Sequence, residues 1–231
     1  VLDMEGLLYQ ADTKTGELTK LSTNIAEKID YFGVAGSQVV AVTPSGVVVL
    51  DSQTGAVMED ETLKQVTNSL QEGSAASGAY PVVFAKGAEE GSIIYVNHKG
   101  LFYHRDGGSV SEQLINGELV SLGDQSLEFK SVLAIDEANY FLAGSDSLST
   151  PRIYRYTYDP EASAMPEKQL KVYALEDSSV LQQAITYFQK QNPDVFVKKI
   201  IGLSGGDGVT AEDALLSLST DIMAGNGPDV L

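Results

Sequence analysis

Cysteine is absent from the 231-residue chain. Its absence excludes disulfides, thiol catalysis and Cys-ligated zinc or iron–sulfur centres, and leaves the redox compartment open. Tryptophan is absent too, and histidine occurs only at His98 and His104. Neither has a His or Cys partner at ligand spacing, so structural or solvent-exposed roles are expected for both and no metal site is expected. Positive charge is scarce: 15 Lys and Arg stand against 32 Asp and Glu, a net charge of −17 with a pI near 4.3. Such a surface repels phosphate backbones and anionic headgroups, which argues against nucleic acid and membrane surfaces as partners. Long hydrophobic runs are missing. The apolar runs are short, such as Val47 to Leu50, against the roughly 20 residues a bilayer span takes, so no membrane insertion is expected. The chain opens Val1-Leu2-Asp3-Met4-Glu5, with no basic n-region and no initiator Met, which reads as a mature or trimmed segment. What remains, 43% hydrophobic and 20% charged residues, is the composition of a folded globular protein.

Up to about residue 160 the pattern is one of strands and turns. Short runs rich in Val, Ile, Leu, Tyr and Phe alternate with Gly, Asn, Asp and Ser clusters, as in Gln38 to Val42, Val47 to Leu50, Ser92 to Val96, Leu101 to His104 and Arg152 to Tyr156. Pro44-Ser45-Gly46 and Asn97-His98-Lys99-Gly100 are tight-turn signals. A repeat runs through this part. Gly6-Leu7-Leu8-Tyr9 leads to Asp12 and then Thr15-Gly16-Glu17-Leu18. Gly46-Val47-Val48-Val49 leads to Asp51 and then Thr54-Gly55-Ala56-Val57. Gly100-Leu101-Phe102-Tyr103 leads to Asp106 and then Gly107-Gly108-Ser109-Val110. Arg152 to Tyr156 followed by Asp159-Pro160 is a looser fourth copy. Each copy reads as strand, Asp-containing turn, strand, the outer hairpin of a four-stranded unit, and four strands recurring every 40–50 residues or so are what propeller blades show. In pattern and spacing this part resembles diverged quinoprotein-like and WD40-like propellers, without a Trp-Asp dipeptide or a Gly-His signature. A β-sandwich built from the same hairpins is the alternative. Asp12, Asp51 and Asp106 could suggest calcium; one Asp per turn fits an Asx-turn better. Tyr154-Arg155-Tyr156 puts two rings on one face, which suits either a stacking surface for sugars or a half-buried strand.

After residue 160 the period changes. Residues 160–166 form a Pro-flanked linker, so the expected division is a β-repeat domain over 1–165 and an α/β segment over 166–231. Leu170 to Leu175 reads as a strand. Leu181, Ala184, Ile185 and Phe188 form a helical stripe that stops at Asn192-Pro193, and Asp177 or Ser178 is placed to cap it. A second strand follows over Val195 to Ile201. The next helix begins at Thr210 with Asp213 three residues on, a capping-box pattern, and ends before Gly225; Asp229-Val230-Leu231 then opens a third strand. The order is βαβαβ, the beginning of an open parallel sheet.

Three pieces of this segment in order, Gln169 to Leu175, Phe188 to Val195 with Asn192-Pro193, and Ile222 to Val230 with Gly225, Gly227-Pro228-Asp229, resemble the start of the first lobe of an extracellular solute-binding protein of family 1, the substrate-binding lipoproteins of ABC importers. In that family a strand leads into a helix ending in Phe and then Asn-Pro or His-Pro, and a second helix ends in a Gly and a Pro-Asp-Val entry to the third strand. The resemblance covers about the last quarter of the chain. It implies a longer parent protein with a second lobe beyond Leu231, anchored at the cell surface. It also implies a small-molecule solute with sugars favoured, an ABC permease as partner, no cofactor and no catalysis.

Ligands of open α/β sheets sit beyond the carboxyl ends of the strands. The candidate ligand-binding residues are therefore Glu176, Asp177 and Ser178 after the first strand, and Ser204 and Asp207, with Gly205 and Gly206 between them, after the second. The latter loop also reads as a plain turn; it is not a phosphate loop, since no Gly-Lys-Ser/Thr follows. Two other function classes stay open: a β-repeat module docking a protein or glycan at the cell surface, and a propeller hydrolase, for which no nucleophile and base stand out.

Overall fold

A computed structural model describes residues 1–68, 82–124, 126–146, 149–160, 166–203 and 208–231. The chain forms two compact units. The first comprises Val1–Ile115 and Leu127–Pro160, the second Asn116–Ser126 and Glu161–Leu231. Residues 116–126, sequence-wise inside the β part, thus belong with the second unit rather than the first. The expected linker lies largely outside the described residues.

The first unit is mainly β and built of antiparallel meanders. A hairpin, β1 (Tyr9–Ala11) and β2 (Leu18–Lys20), comes first. A four-stranded meander follows: β3 (Tyr31–Ala35), β4 (Gln38–Thr43), β5 (Gly46–Asp51) and β6 (Val57–Met58), in sequence order across the sheet. The helix α1 (Glu61–Asn68) leads to a second such meander, β7 (Val83–Lys86), β8 (Ser92–Asn97), β9 (Gly100–Arg105) and β10 (Ser111–Asn116). The last sheet has three strands, β11 (Glu128–Ala134), β12 (Asn139–Ser145) and β13 (Pro151–Thr157). The sequence repeat falls on equivalent places: β1, β5, β9 and β13 are its copies, and β5, β9 and β13 are each the third strand of their sheet.

The hairpin registers follow from the turn residues. Thr43 pairs with Gly46 and Asn97 with Gly100, leaving two-residue turns at Pro44-Ser45 and His98-Lys99. The recurring Asp works as an Asx-turn in the first two copies. The Asp12 carboxylate accepts from the N–H groups of Lys14 and Thr15 at 2.7 and 2.9 Å, and that of Asp51 from Gln53 and Thr54 at 3.1 and 2.7 Å. These bonds hold both carboxyls below the usual range, led at Asp12 by the Thr15 N–H and at Asp51 by the Thr54 hydroxyl. The third copy closes differently, with Gly107 at φ +66° and the Gly108 N–H donating to the Arg105 carbonyl. No group of three or more metal-ligating side chains occurs among the described residues.

Successive sheets meet at their first strands, with β7 lying beside β3 on one side and β11 on the other. The approach is close. A Cβ on Gly33 of β3 would stand 2.6 Å from the Phe84 carbonyl oxygen on β7, so glycine is what lets the two backbones come together. Alternation along β4 splits its side chains between two cores. Val40 points, with Val47, Val49 and Ala35, into a cluster completed by Leu63 and Val66 of α1 and by Val82, Phe84, Ile93 and Tyr95. Val39 and Ala41 face Leu8, Leu21, Ile29 and Leu50. First strands side by side, each heading a meander of three or four strands, make this a propeller-like arrangement rather than two sheets facing each other as in a sandwich.

Two features depart from the sequence reading. The first is α1, in a stretch read as strands and turns. Its start is set by the Asp60 carboxylate accepting from the Leu63 N–H at 2.9 Å, and its apolar stripe is Leu63 and Val66. The second is β13, which has no fourth strand beside it among the described residues and forms an edge bearing Pro151, Arg152, Arg155 and a 77% exposed Ile153.

The second unit is a βαβ arrangement of β14 (Lys168–Glu176), α2 (Ser179–Gln191), β15 (Val195–Leu203) and α3 (Ala211–Met223). β14 and β15 are parallel from Lys168 opposite Val195 to Glu176 opposite Leu203. Val230 forms a parallel bridge to Val172 on the other flank of β14. The entry of this third strand is pinned by the Asp229 carboxylate, which accepts from the Lys171 N–H at 2.7 Å. Helix α2 also packs on residues 116–126, where Gln189, nearly buried, donates to the Glu118 carbonyl at 2.9 Å.

Candidate functional site

The carboxyl ends of β14 and β15 are where sequence placed the ligand. Glu176, Asp177 and Ser178 are consecutive and exposed at the end of β14. Ser204 and Asp207, with Gly205 and Gly206, lie outside the described residues. Two of the three described groups have structural work. The Ser178 hydroxyl accepts from the Leu181 N–H at 3.1 Å and is the N-cap of α2. Both oxygens of Asp177 accept from the Lys199 ammonium, at 2.8 and 2.7 Å, and Lys199 also donates to the Gln182 amide oxygen at 3.0 Å. One lysine from β15 thereby ties the end of β14 to the first turn of α2.

Helix α3 carries its own capping box. The Asp213 N–H donates to the Thr210 hydroxyl at 3.2 Å, and the Asp213 carboxylate accepts from the Thr210 N–H at 3.1 Å. The Thr210 hydroxyl leads the bonds that hold the Asp213 carboxyl below its usual range. Behind the rim, the Tyr173 hydroxyl lies over Gly202, where a Cβ would stand 2.2 Å from it, and donates to the Ala214 carbonyl at 3.5 Å. At this rim both helix N-termini are capped by their own residues, α2 by Ser178 and α3 by Thr210. Glu176 is the rim's described carboxylate without a bond to a neighbouring side chain.

A second constellation, in the β unit, was not found from sequence. His104 is fully buried and Asp60 nearly so, and the histidine Nε2 lies 2.8 Å from the second carboxylate oxygen of Asp60. Nδ1 faces the Val110 carbonyl at 3.1 Å and the Ser111 hydroxyl at 3.4 Å. Asp, His and Ser in contact suggest acyl transfer, but a base must offer a lone pair to the serine. The Val110 carbonyl can only accept, so a proton on Nδ1 satisfies it and leaves no lone pair there for Ser111. The set instead joins the start of α1, β9 and the start of β10 across 44 residues of sequence. A signal existed in principle: Asp60 stands three residues before Leu63, at capping distance from an i, i+3 apolar pair.

No protein-family model matches the chain, and no curated protein matches it. Among solved structures it is similar to the N-terminal domain of Nup159, at 12% identity and a TM-score of 0.39 over 67% of this chain. It is similar also to Nup159 in an S. cerevisiae assembly with Dbp5, Gle1, IP6 and ADP, at 11% identity and a TM-score of 0.35 over 68% of this chain. The chain spans 41% of the length of each of these. Likeness at this level carries no functional argument.

Proposed function

We propose that the chain is a fragment of an extracellular solute-binding protein of the family 1 type, the substrate-binding lipoprotein of an ABC importer, in which a β-repeat unit precedes the first ligand-binding lobe. The observation that carries the proposal is the strand order of the second unit. β14 is central, with β15 on one flank and Val230 on the other, all parallel, and α2 and α3 make the two crossovers. A sheet started in this way places its ligand beyond the carboxyl ends, on the ledge of Glu176, Asp177 and Ser178. The protein would capture a small solute, a sugar by preference, by closing a second lobe over that ledge and would pass it to a membrane permease, with no chemical step and no cofactor. The β-repeat unit is itself compatible with a protein-interaction module.

The test is the coding sequence beyond the codon for Leu231, with the intact mass of the native product. A frame continuing for about 300 residues of alternating strand and helix is the expected result. A stop codon directly after Leu231 overturns the proposal, because two lobes cannot then close. Calorimetric titration of the full-length product with a sugar panel checks the solute class: saturating heat with one sugar is expected, and none with any sugar refutes the sugar assignment.

A further inference from the structure

An open groove of about 390 Å³ runs in the β unit between α1 and the sheet of β8, β9 and β10. Its volume is within the range of small-ligand sites. Its floor is the cross-strand pair Tyr95 and Phe102, directly opposite in register, with rings 5.0 Å apart and nearly parallel at 8°. Tyr95 is buried, and Phe102 is the partly buried member that meets the groove. Asn97 also lines it and is 5% exposed. Its amide oxygen accepts from the Lys99 N–H at 2.9 Å, while its NH₂ group has no partner among the described residues. Two donor hydrogens held in a nearly buried side chain at a groove wall favour a ligand that accepts hydrogen bonds.

Charge narrows the class. In a chain of net charge −17, no Asp or Glu is among the described residues that line this groove, and the one charged residue among them is Lys99. The Lys99 ammonium makes no ion pair among the described residues. Hydroxyls of Ser109 and Ser111 complete the wall. An aromatic face, amide and hydroxyl groups and a cation with no ion pair among the described residues suit a pyranose that carries a carboxylate.

We propose that this groove binds an acidic sugar, a hexuronate either free or at the end of a glycan. The apolar face of the ring lies on Phe102, the carboxylate meets Lys99, and a ring hydroxyl accepts from the Asn97 amide. The site is separate from the ledge of the α/β unit and does not depend on how that ledge is read.

The test is calorimetry and saturation-transfer NMR on the 231-residue chain with D-glucuronate, D-glucose and acetate. Saturable binding of glucuronate is expected, with glucose and acetate each about tenfold weaker, the difference a charge-assisted contact or a stacked ring makes. Lys99 is exposed, so Lys99→Gln is expected to fold, by circular dichroism, and to weaken glucuronate about tenfold while leaving glucose unchanged. Phe102→Leu is expected to abolish the transfer signal from the sugar ring protons. A glucuronate-terminated disaccharide separates the sources: tighter binding than the monosaccharide indicates a glycan end, weaker binding a free sugar. Absence of saturable glucuronate binding, equal affinity for glucose, or an unchanged affinity in Lys99→Gln overturns the proposal.

Discussion

Replacing Asp60 by alanine removes two bonds at once. The first is the cap on α1, the 2.9 Å bond from the Leu63 N–H, and loss of an N-cap costs about 1 kcal/mol. The second is the 2.8 Å contact to Nε2 of a fully buried imidazole, and an orphaned buried polar group costs about 1–3 kcal/mol. Together these give a loss of about 2–4 kcal/mol. In urea unfolding followed by far-ultraviolet circular dichroism, that is a fall in midpoint of about 1–2 M at a slope near 2 kcal/mol/M, with the slope unchanged. Two companions separate the contributions. Asp60→Ser keeps a capping oxygen but cannot reach the histidine, and should recover about 1 kcal/mol of the loss seen in Asp60→Ala. Asp60→Asn keeps the oxygen for Leu63, and its NH₂ can donate to Nε2 once the imidazole carries a single proton on Nδ1, where the Val110 carbonyl already accepts it. It should therefore cost about 1 kcal/mol or less. A midpoint shift in Asp60→Ala below about 0.3 M, or an Asp60→Asn as damaging as Asp60→Ala, would refute the reasoning.

Three other outcomes are expected. Tyr140, 3% exposed, is pushed up to about 12 by burial first and then by the carboxylates of Asp136 and Glu137. The raised value favours the protonated phenol, so its contribution to stability is complete below the ordinary tyrosine value of 10.0 and is lost as pH rises through about 12. Tyrosinate absorbance should show one ionisation in that late range that vanishes in Tyr140→Phe. Gly33→Ala places a methyl 2.6 Å from the Phe84 carbonyl and should lower stability by about 1–3 kcal/mol through overpacking. Gly16→Ala, at φ +74° with nothing within 4 Å, should cost only about 1 kcal/mol from backbone strain; equal urea midpoints for the two would count against the close β3–β7 approach. Ser178→Ala should cost about 1 kcal/mol through the lost cap of α2, read as faster amide hydrogen exchange confined to the first turn of that helix.

The features legible in sequence were those with short-range causes. Two-residue turns at Pro44-Ser45 and His98-Lys99 fix hairpin register locally, so β4, β5, β8 and β9 could be read from alternation and turn chemistry. The α2 and α3 caps were legible for the same reason, since Ser178 and Thr210 act within three residues of themselves. Helix α1 was missed because its stripe is two residues long, Leu63 and Val66, too short to show a period. Residues 116–126 join the second unit through packing that includes the bond from Gln189 to Glu118, 71 positions apart, which no local pattern encodes. The Asp60–His104 pair and the Tyr95–Phe102 groove likewise exist only once strands and helix are assembled. On the α/β ledge sequence offered a cap at Asp177 or Ser178, and Ser178 is the cap; the pairing of Asp177 with Lys199, 22 positions away on β15, has no local pattern.

The edge strand β13 governs how safely this protein can be handled. Its outer N–H and C=O groups have no neighbouring strand among the described residues, and Ile153 between Arg152 and Arg155 is 77% exposed. A bare edge with an apolar side chain is a template for pairing with another molecule. Pro151 lacks a donor at the entry of the strand, and the two arginines bracket Ile153 with charge that must be desolvated before a second strand can dock. Among the described residues the two arginines are tied only to exposed or half-exposed partners, Arg152 to Asp146 at 2.8 Å and Arg155 to Asn139 at 2.9 Å, contacts worth little to folding. A double charge-neutral variant at 152 and 155 would melt like the parent yet precipitate at concentrations the parent tolerates, whereas placing a lysine at 153 would extend that tolerance.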